Sequence, residues 1–409
     1  MTWPIKKLGD KEYFEILESG VEKFEGKKEY LSTSSIEKNK IITSEGKITY
    51  QKRPSRANMQ PRLNSVWFAR MINTIKVYSF TERNKDEVNK YILSTGFAGI
   101  LCNTEKVHPL YLEKIFLSDW FNNLKNNLAS DKAIQKSLNN EDIKILEIPL
   151  PPLPIQQKIV KVLDAIQSAV EIQEKIIEKT KELKKSLMNL LFHYGVVGLQ
   201  VKELMSSRVG ELKSSEIEKL GLKLKKTEIG EIPEHWEVVR LGNLQISQIK
   251  YGKAKPPESG NIPVVGSSGI YEWTNKALIG KPTIVVGRKG TAGKPYLILE
   301  PCWPSDTTFY LDINLELIKP KFLYEYILLR SPSGEHDKTT LPSLKREDLE
   351  NLKIPLPPLP EQQKIAGILQ TIDQKIEIEK RKKELYEELF KTMLNKIMSQ
   401  EIDVEKIEI

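Results

Sequence analysis

Two stretches of this chain, 206 residues apart, are nearly the same: Ile148-Pro-Leu-Pro-Pro-Leu-Pro154 leads into Gln156-Gln-Lys-Ile159, and Ile354-Pro-Leu-Pro-Pro-Leu-Pro360 leads into Gln362-Gln-Lys-Ile365. The likeness runs upstream through Ser137-Leu138 and Glu141-Asp142 against Ser343-Leu344 and Glu347-Asp348. Downstream it runs through Leu163 and Leu369, Ile166 and Ile372, and Glu182-Leu183 and Glu388-Leu389. The period is half of the 409 residues. Solenoid repeats run to about 20 to 50 residues, so this one means two copies of a domain-plus-helix unit.

Both proline runs stand immediately before a helical pattern. There proline costs no hydrogen bond and presets the backbone of the first turn, so each run reads as a rigid lead-in to a helix. A polyproline ligand for an SH3-like groove is the alternative, carried by a short and promiscuous motif.

After Pro154 the apolar positions Ile159, Leu163, Ile166, Val170, Ile177, Leu187 and Leu191 follow alternating four and three spacings, with Gln173, Thr180 and Lys184 interrupting. The second copy has Ile365, Leu369, Ile372, Ile376, Tyr386, Phe390, Met393 and Ile397, interrupted by Glu379 and Lys383. Both seams are therefore expected to relax in the same region. Two such helices in one chain most simply pack on each other. A helix of about 36 residues is roughly 54 Å long, the length of about sixteen base pairs of duplex. Heptads alone suit a helical hairpin or a dimerisation coil equally well; the duplicated context favours a spacer.

Before each helix lies a region of domain size with short β-branched and aromatic runs punctuated by glycine, the composition of a mixed α+β domain. In the first, 65–68, 75–78 and 91–93 read as strands and 109–122 as a helix. In the second, 237–241, 283–286 and 296–299 read as strands and 320–330 as a helix. The two regions open alike, with Trp3-Pro-Ile-Lys-Lys-Leu-Gly9 and Trp236-Glu-Val-Val-Arg-Leu-Gly242, and then diverge. Divergence within a shared frame suits two domains that read different targets.

Basic and polar residues gather on expected loops: Lys52, Arg53, Ser55, Arg56, Asn58, Gln60 and Arg62 in the first domain, and Lys250, Tyr251, Lys253 and Lys255 in the second. These types suit phosphates and base edges. The second domain adds Gly266-Ser267-Ser268-Gly-Ile270 and Val286-Gly-Arg288-Lys289-Gly290. Their glycines allow backbone to approach a ligand closely, and Arg288 or Lys289 could reach a guanine edge or a phosphate. Tyr271, Thr291 and Lys294 flank these runs. Glycine-rich hairpins also arise for purely structural reasons. Gly290-Thr-Ala-Gly293-Lys294 is not a phosphate-binding loop of nucleotide triphosphatases: no glycine lies five positions before Gly293, and no Ser or Thr follows Lys294.

Charge leans the same way, with 63 Lys and Arg against 55 Asp and Glu, a net +8. Cys102 and Cys302 are the two cysteines and form no CxxC pair. With His108, His193, His235 and His336 as the only histidines, a zinc site is not expected, and a reducing compartment fits. No window approaches about 18 consecutive apolar residues, and Met1-Thr2-Trp3-Pro4 lacks the layout of a signal peptide. The expectation is a soluble, cytoplasmic protein without a membrane partner. No [DN]PP[YF], HExxH or GxSxG motif is present, so no catalytic centre is expected.

The paired IPLPPLPxQQKI lead-ins, the opening Gly230-Glu-Ile-Pro-Glu-His-Trp-Glu-Val-Val-Arg-Leu, and the runs at 266–270, 286–290 and Trp303-Pro-Ser-Asp306-Thr307 together resemble the specificity (S) subunits of type I restriction-modification enzymes over nearly the whole length. The resemblance implies an α+β protein in which two mixed α/β target-recognition domains are joined by two long helices in an antiparallel coiled coil, with an internal pseudo-two-fold repeat. The expected division is 1–150 for the first domain, 151–195 for the first helix, 196–229 for a linker, 230–356 for the second domain, 357–400 for the second helix and 401–409 for a tail. Each domain would read one half of a bipartite, asymmetric site in double-stranded DNA, while the helices set the spacer through Ile159, Leu163, Ile166, Val170, Ile365, Leu369, Ile372 and Ile376. The implied partners are two modification subunits, which bind S-adenosylmethionine and methylate adenine, and restriction subunits that use ATP and Mg; no cofactor is expected on this chain. Arg53, Ser55, Arg56, Asn58, Gln60, Arg62, Tyr251, Lys253, Ser267, Ser268, Tyr271, Arg288, Lys289, Thr291 and Lys294 are the candidate DNA contacts. The first domain departs from the pattern, since its opening starts at Trp3 and its Pro54-Ser-Arg56 loop differs from the Gly-Ser-Ser-Gly loop. A coiled-coil scaffold, or a nucleic-acid-binding protein without a methyltransferase partner, is the competing reading; salt-dependent DNA association separates scaffold from DNA reader.

Overall fold

The computed structural model describes residues 3–130, 137–197, 221–256, 258–330 and 344–407. Met1-Thr2, His336, Ser343, most of the expected linker and the last two tail residues lie outside them. The chain divides into two compact units, Met1–Glu174 with Arg381–Ile409 and Lys175–Lys380. Both long helices run through the division.

The first unit holds a four-stranded antiparallel sheet ordered Phe14–Leu17, Phe97–Cys102, Ser65–Ala69, Val77–Phe80, and a second, mixed sheet ordered Lys47–Ile48, Lys28–Leu31, Tyr91–Ser94, Ala57–Met59. Helix α1 (Pro109–Leu117) covers the strands 65–69 and 77–80. Phe68 meets Phe116 and Phe121 edge-on at 4.7 and 5.2 Å between ring centroids. Sheet register decides one glycine: Gly99 pairs with Trp67, whose buried ring would lie 2.6 Å from any Cβ placed there.

The helix expected over 109–122 is two. Ser118 adopts an extended ψ of 147°, donates its hydroxyl to the carbonyl of Ile115 and accepts the amide of Phe121, so α2 (Asp119–Ser130) starts afresh. A serine side chain that bonds local backbone offers the chain a way out of the helix. A short α3 (Asn140–Lys144) precedes the proline run.

The second unit repeats the plan with a four-stranded antiparallel sheet ordered Ser247–Tyr251, Thr308–Ile313, Thr283–Gly287, Pro295–Ile298, beside a three-stranded sheet ordered Gly269–Thr274, Ile262–Gly266, Trp303–Pro304. Continuing in chain order after α4 (Leu153–Tyr194), α5 (Pro320–Arg330) packs on the strands 283–287 and 295–298. The short α6 (Arg346–Glu350) and the long α7 (Leu359–Met398) complete the helices.

The frame that carries the repeat is the same in both units. Ile5–Lys7 pairs antiparallel with Glu147–Pro149, and Glu237–Arg240 with Lys353–Leu356. Gly9 donates to the carbonyl of Lys144 at 3.0 Å and Gly242 to that of Glu350 at 3.0 Å; a Cβ at either glycine would strike the facing residue. The helix then begins within the proline run, with the carbonyls of Pro152 and Pro358 accepting the first helical amides.

The first glutamine of each QQK motif is a buried clamp. Gln156 accepts the amide of His108 at 2.8 Å and donates to the carbonyls of Lys106 (3.0 Å) and Pro151 (2.8 Å). Gln362 accepts the amide of Lys319 at 2.8 Å and donates to the carbonyls of Leu317 (3.0 Å) and Pro357 (2.8 Å). Each clamp ties the start of a domain helix to the start of a long helix.

Within the first unit, Ile159 and Leu163 near the start of α4 share a core with Leu394, Ile397 and Met398 at the end of α7. Within the second, Leu187 and Leu191 near the end of α4 share a core with Ile365 and Leu369 at the start of α7. The helices therefore form an antiparallel, coiled-coil-like pair. Two α/β domains joined by this pair are the architecture of the chain. The seam does not relax where the sequence suggests. Gln173, Thr180 and Glu379 are buried in the same four-and-three spacing, and Lys184 is nearly so. Polar side chains occupy the seam because each finds a partner: Thr180 donates to the carbonyl of Ile176 at 2.7 Å, and Lys184 reaches carboxylates.

Candidate nucleic-acid interface

In the second unit, three sequence runs that are far apart along the chain meet at one end of the sheet. The strand ending at Tyr251 passes Gly252, whose amide donates to the carbonyl of Thr308 at 3.0 Å. Gly252 lies so close to the carbonyls of Pro304 and Ser305 that no side chain fits. Lys253 donates its amide to Pro304 at 3.0 Å and accepts the indole N–H of Trp303 at 3.0 Å. Ser305 donates to Val265 at 2.9 Å, which anchors the hairpin that turns through Ser267 and Ser268. The amides of Arg288 and Lys289 donate to the carbonyl of Thr307, and the Arg288 guanidinium to that of Asp306 at 2.9 Å.

Two bonds close the 287–294 turn: Gly287 donates to the carbonyl of Lys294 at 3.1 Å, and Gly293 to that of Gly287 at 2.8 Å. Gly290 and Gly293 sit at φ +77° and +83°, where a side chain would be strained. Tyr296 donates its hydroxyl to the carbonyl of Ser267 at 3.2 Å, joining the turn to the hairpin.

The result is a built platform of cationic and aromatic groups. Arg288 lies over the rings of Tyr251 (5.4 Å) and Phe309 (5.9 Å), and Lys294 over Tyr296 (5.3 Å). Tyr251, Lys253, Ser268, Tyr271, Lys289, Thr291 and Lys294 are exposed, while Ser267 and Arg288 are half-buried. Lys253, Lys289 and Lys294 carry no ion pair among the described residues, whereas Lys250 pairs with Asp312 at 2.5 Å and Lys255 with Glu272. Asp312 is held below the usual carboxylate range: burial alone would raise it, but Lys250 and Lys281 outweigh that.

The first-unit candidates are arranged differently, along one segment leading into the edge strand Ala57–Met59. Arg53 donates to the carbonyl of Tyr50 at 2.6 Å and stacks 4.3 Å over its ring. Gln60 accepts the amide of Glu22 at 2.8 Å, and Arg62 pairs with Glu15 at 3.2 Å. Asn58 is half-buried; Ser55 and Arg56 are exposed, and the Arg56 carbonyl accepts the amides of Asn58 and Thr95. Of the spacer residues, Ile159, Leu163, Val170, Ile365, Leu369 and Ile376 are buried, and Ile166 and Ile372 half-buried.

A family model described as the type I restriction modification DNA specificity domain matches residues 2–182 and 233–388. The chain belongs to that family. A Methanocaldococcus jannaschii protein named for the type I restriction enzyme MjaX specificity subunit is 31% identical over 319 residues, 74% of this chain and 70% of that protein. The MjaVIII specificity subunit of the same organism is 30% identical over 318 residues, 69% of each. Two solved structures share the fold over 97% of the chain. One comes from work on complex assembly and conformational transition of the type I R-M system (TM-score 0.59, 20% identity, 97% of that chain). The other is the S subunit from M. genitalium (TM-score 0.52, 15% identity, 96% of that chain). As a specificity subunit the chain is the sequence-recognising, non-catalytic component of a type I restriction-modification complex, working with DNA and with modification and restriction subunits.

The specificity subunit also exposes groups that sequence reading passed over. Ile270 and Trp273 are each 49% exposed beside Tyr271 at 55%, so the strand Gly269–Thr274 presents an almost continuous apolar and aromatic edge next to the platform. The signal available was the run Ile-Tyr-Glu-Trp, which lacks the polar alternation of a half-buried strand. Burial pushes both thiols up, that of Cys302 to about 12, so neither cysteine supplies a thiolate nucleophile at neutral pH. Among the described residues no cluster of His, Cys, Asp or Glu could hold a metal ion, and no helix is long and apolar enough to cross a membrane.

Proposed function

We propose that each α/β domain of this specificity subunit reads one half of a bipartite, asymmetric site in double-stranded DNA. The helix pair sets the unread spacer and offers its outer face to two modification subunits. The observation that carries this reading is the platform at one end of the second unit, where Tyr251, Lys253, Ser267, Ser268, Tyr271, Arg288, Lys289, Thr291 and Lys294 belong to loops braced against one another by backbone bonds. Rigid loops hold donors in place without an ordering cost on binding. In the first domain, Ser55 and Arg56 lead the contact, with Arg53, Asn58, Gln60 and Arg62 shaping the segment behind them. The domains correspond to 1–150 and 230–356, and the helices to 151–195 and 357–400, with the remaining stretches as linker and tail. S-adenosylmethionine, ATP and Mg belong to the partner subunits, and the complex works in the cytoplasm, where its DNA is.

The test is methylation of random-sequence DNA with labelled S-adenosylmethionine by this chain, by its modification subunit, and by the two mixed. Methylation by the mixture alone, at an adenine in a split motif, is the expected result. Incorporation by this chain alone, or none by the mixture, refutes the reading. Adding one heptad to both helices tests the ruler: about 10.5 Å of added length is about three base pairs, so recovered sites should widen by that amount with unchanged halves.

A further inference from the structure

Each domain helix meets the long helices through an ionic cluster gathered around one buried charge, Lys114 in the first unit and Glu325 in the second, so the two clusters have opposite polarity. The Gln156 and Gln362 clamps set the equivalence, bonding His108 and Lys319, just ahead of Pro109 and Pro320. Lys114 on α1 thus corresponds to Glu325 on α5, 211 residues on. Lys114, 3% exposed, bonds Asp164 of α4 at 2.9 Å, stands 3.8 Å from Glu113 and lies 5.7 Å from the ring of Phe390; Arg83 bonds the same Asp164 at 2.8 Å. Glu325, fully buried, forms ion pairs with Lys184 of α4 at 2.9 Å and Lys321 at 2.7 Å, and Asp373 of α7 accepts hydrogen bonds from both lysines at 2.6 and 2.9 Å.

Lys184 and Phe390 occupy the same place in the repeat, 206 residues apart. As built, each cluster balances two cations against two carboxylates. Pairing two copies of the first half would set Lys184 against Lys114, leaving three cations to two carboxylates. Pairing two copies of the second would set Phe390 against Glu325, leaving two carboxylates to Lys321 alone. The glutamine clamps are identical and cannot discriminate; the charge can, because an uncompensated buried charge is strongly destabilising.

We propose that residues 184 and 390 are a polarity key: the first half supplies the cation that balances the second half's joint, the second half sets an uncharged ring against the first half's already balanced joint, and neither half does the same for a second copy of itself. The key keeps the two different domains on one helix pair and rejects pairing of like halves between chains. It stands apart from what the loops bind, and its test uses no DNA.

The test measures thermal unfolding of full-length chains substituted at the two equivalent positions. At 390, F390E is expected to melt above F390K by at least about 4 °C, with F390M as the uncharged reference. At 184 the order is reversed, with K184R above K184M above K184E. Phe390 is half-buried, so the 390 series is the one to read where changes at Lys184 prevent folding. The same order of charge at both positions overturns the key. The exchange variant K184F/F390K has unchanged composition but makes like halves compatible, so differently tagged copies should co-purify several-fold more than those of the natural chain. Co-purification no higher than that of the natural chain overturns the proposal.

Discussion

Replacing the clamp glutamines by methionine, Gln156→Met and Gln362→Met, removes three hydrogen bonds at each joint while nearly keeping side-chain volume. Gln362 is fully buried, so water cannot take over its partners: the amide of Lys319 and the carbonyls of Leu317 and Pro357. Three buried bonds at a net value near 1 kcal/mol each give a loss of about 3 kcal/mol. The orphaned amide pushes the loss upward, and the added apolar burial of methionine offsets part of that. For a unit the size of Lys175–Lys380, where about 1 kcal/mol moves the melting point by about 2–4 °C, the expected drop is about 6–12 °C. Gln156→Met should cost a similar amount, because its three bonds have the same lengths. Differential scanning calorimetry of full-length chains measures both, with Gln157→Met and Gln363→Met as controls at exposed neighbouring positions. Clamp variants that melt within about 2 °C of their controls would refute the argument that these bonds hold the domain helices to the helix pair.

Three further outcomes are expected. Lys289→Ala should weaken binding to all sequences alike and lower the log–log salt slope by about 0.9, whereas Arg288→Ala should cost about 1–3 kcal/mol and relax selection at one base pair; both are read from binding titrations across salt. Gly252→Ala forces apart the Tyr251 and Ser305 loops and should abolish selection at one half-site while leaving the other intact, as methylated-site sequencing would report. Burial alone would raise the pKa of Asp164 and Asp373, but Lys114 with Arg83 and Lys184 with Lys321 hold both below the usual carboxylate range. A depressed folded pKa contributes stability that is complete above the unfolded value near 3.9 and lost as pH falls through the folded one. Melting points should therefore fall steeply below about pH 4, and less steeply in Asp164→Asn and Asp373→Asn; parallel acid limbs would contradict this.

What the amino-acid sequence determined by itself is what short-range chemistry and repetition can carry. The duplicated proline lead-ins, the two long helices and the shared Leu-Gly openings were legible because each is a local pattern seen twice. Strands such as 237–240 and 283–287 announced themselves by β-branched runs. Tertiary structure decided the rest, because it rests on contacts between residues far apart in the chain. Gln173, Thr180 and Glu379 look like breaks in an apolar seam until their partners are in place, whereupon they are part of it. The loops of Gly252, Ser267 and Arg288 become one platform only through backbone bonds that Gly252, Lys253, Val265 and Arg288 make to the 304–308 segment. The domain interiors differ in length, so Lys114 and Glu325 are offset by 211 residues while their helix partners are offset by 206. No single register of the sequence against itself aligns both, and the opposed charges of the two joints emerge only when the glutamine clamps bring helix and helix together in space.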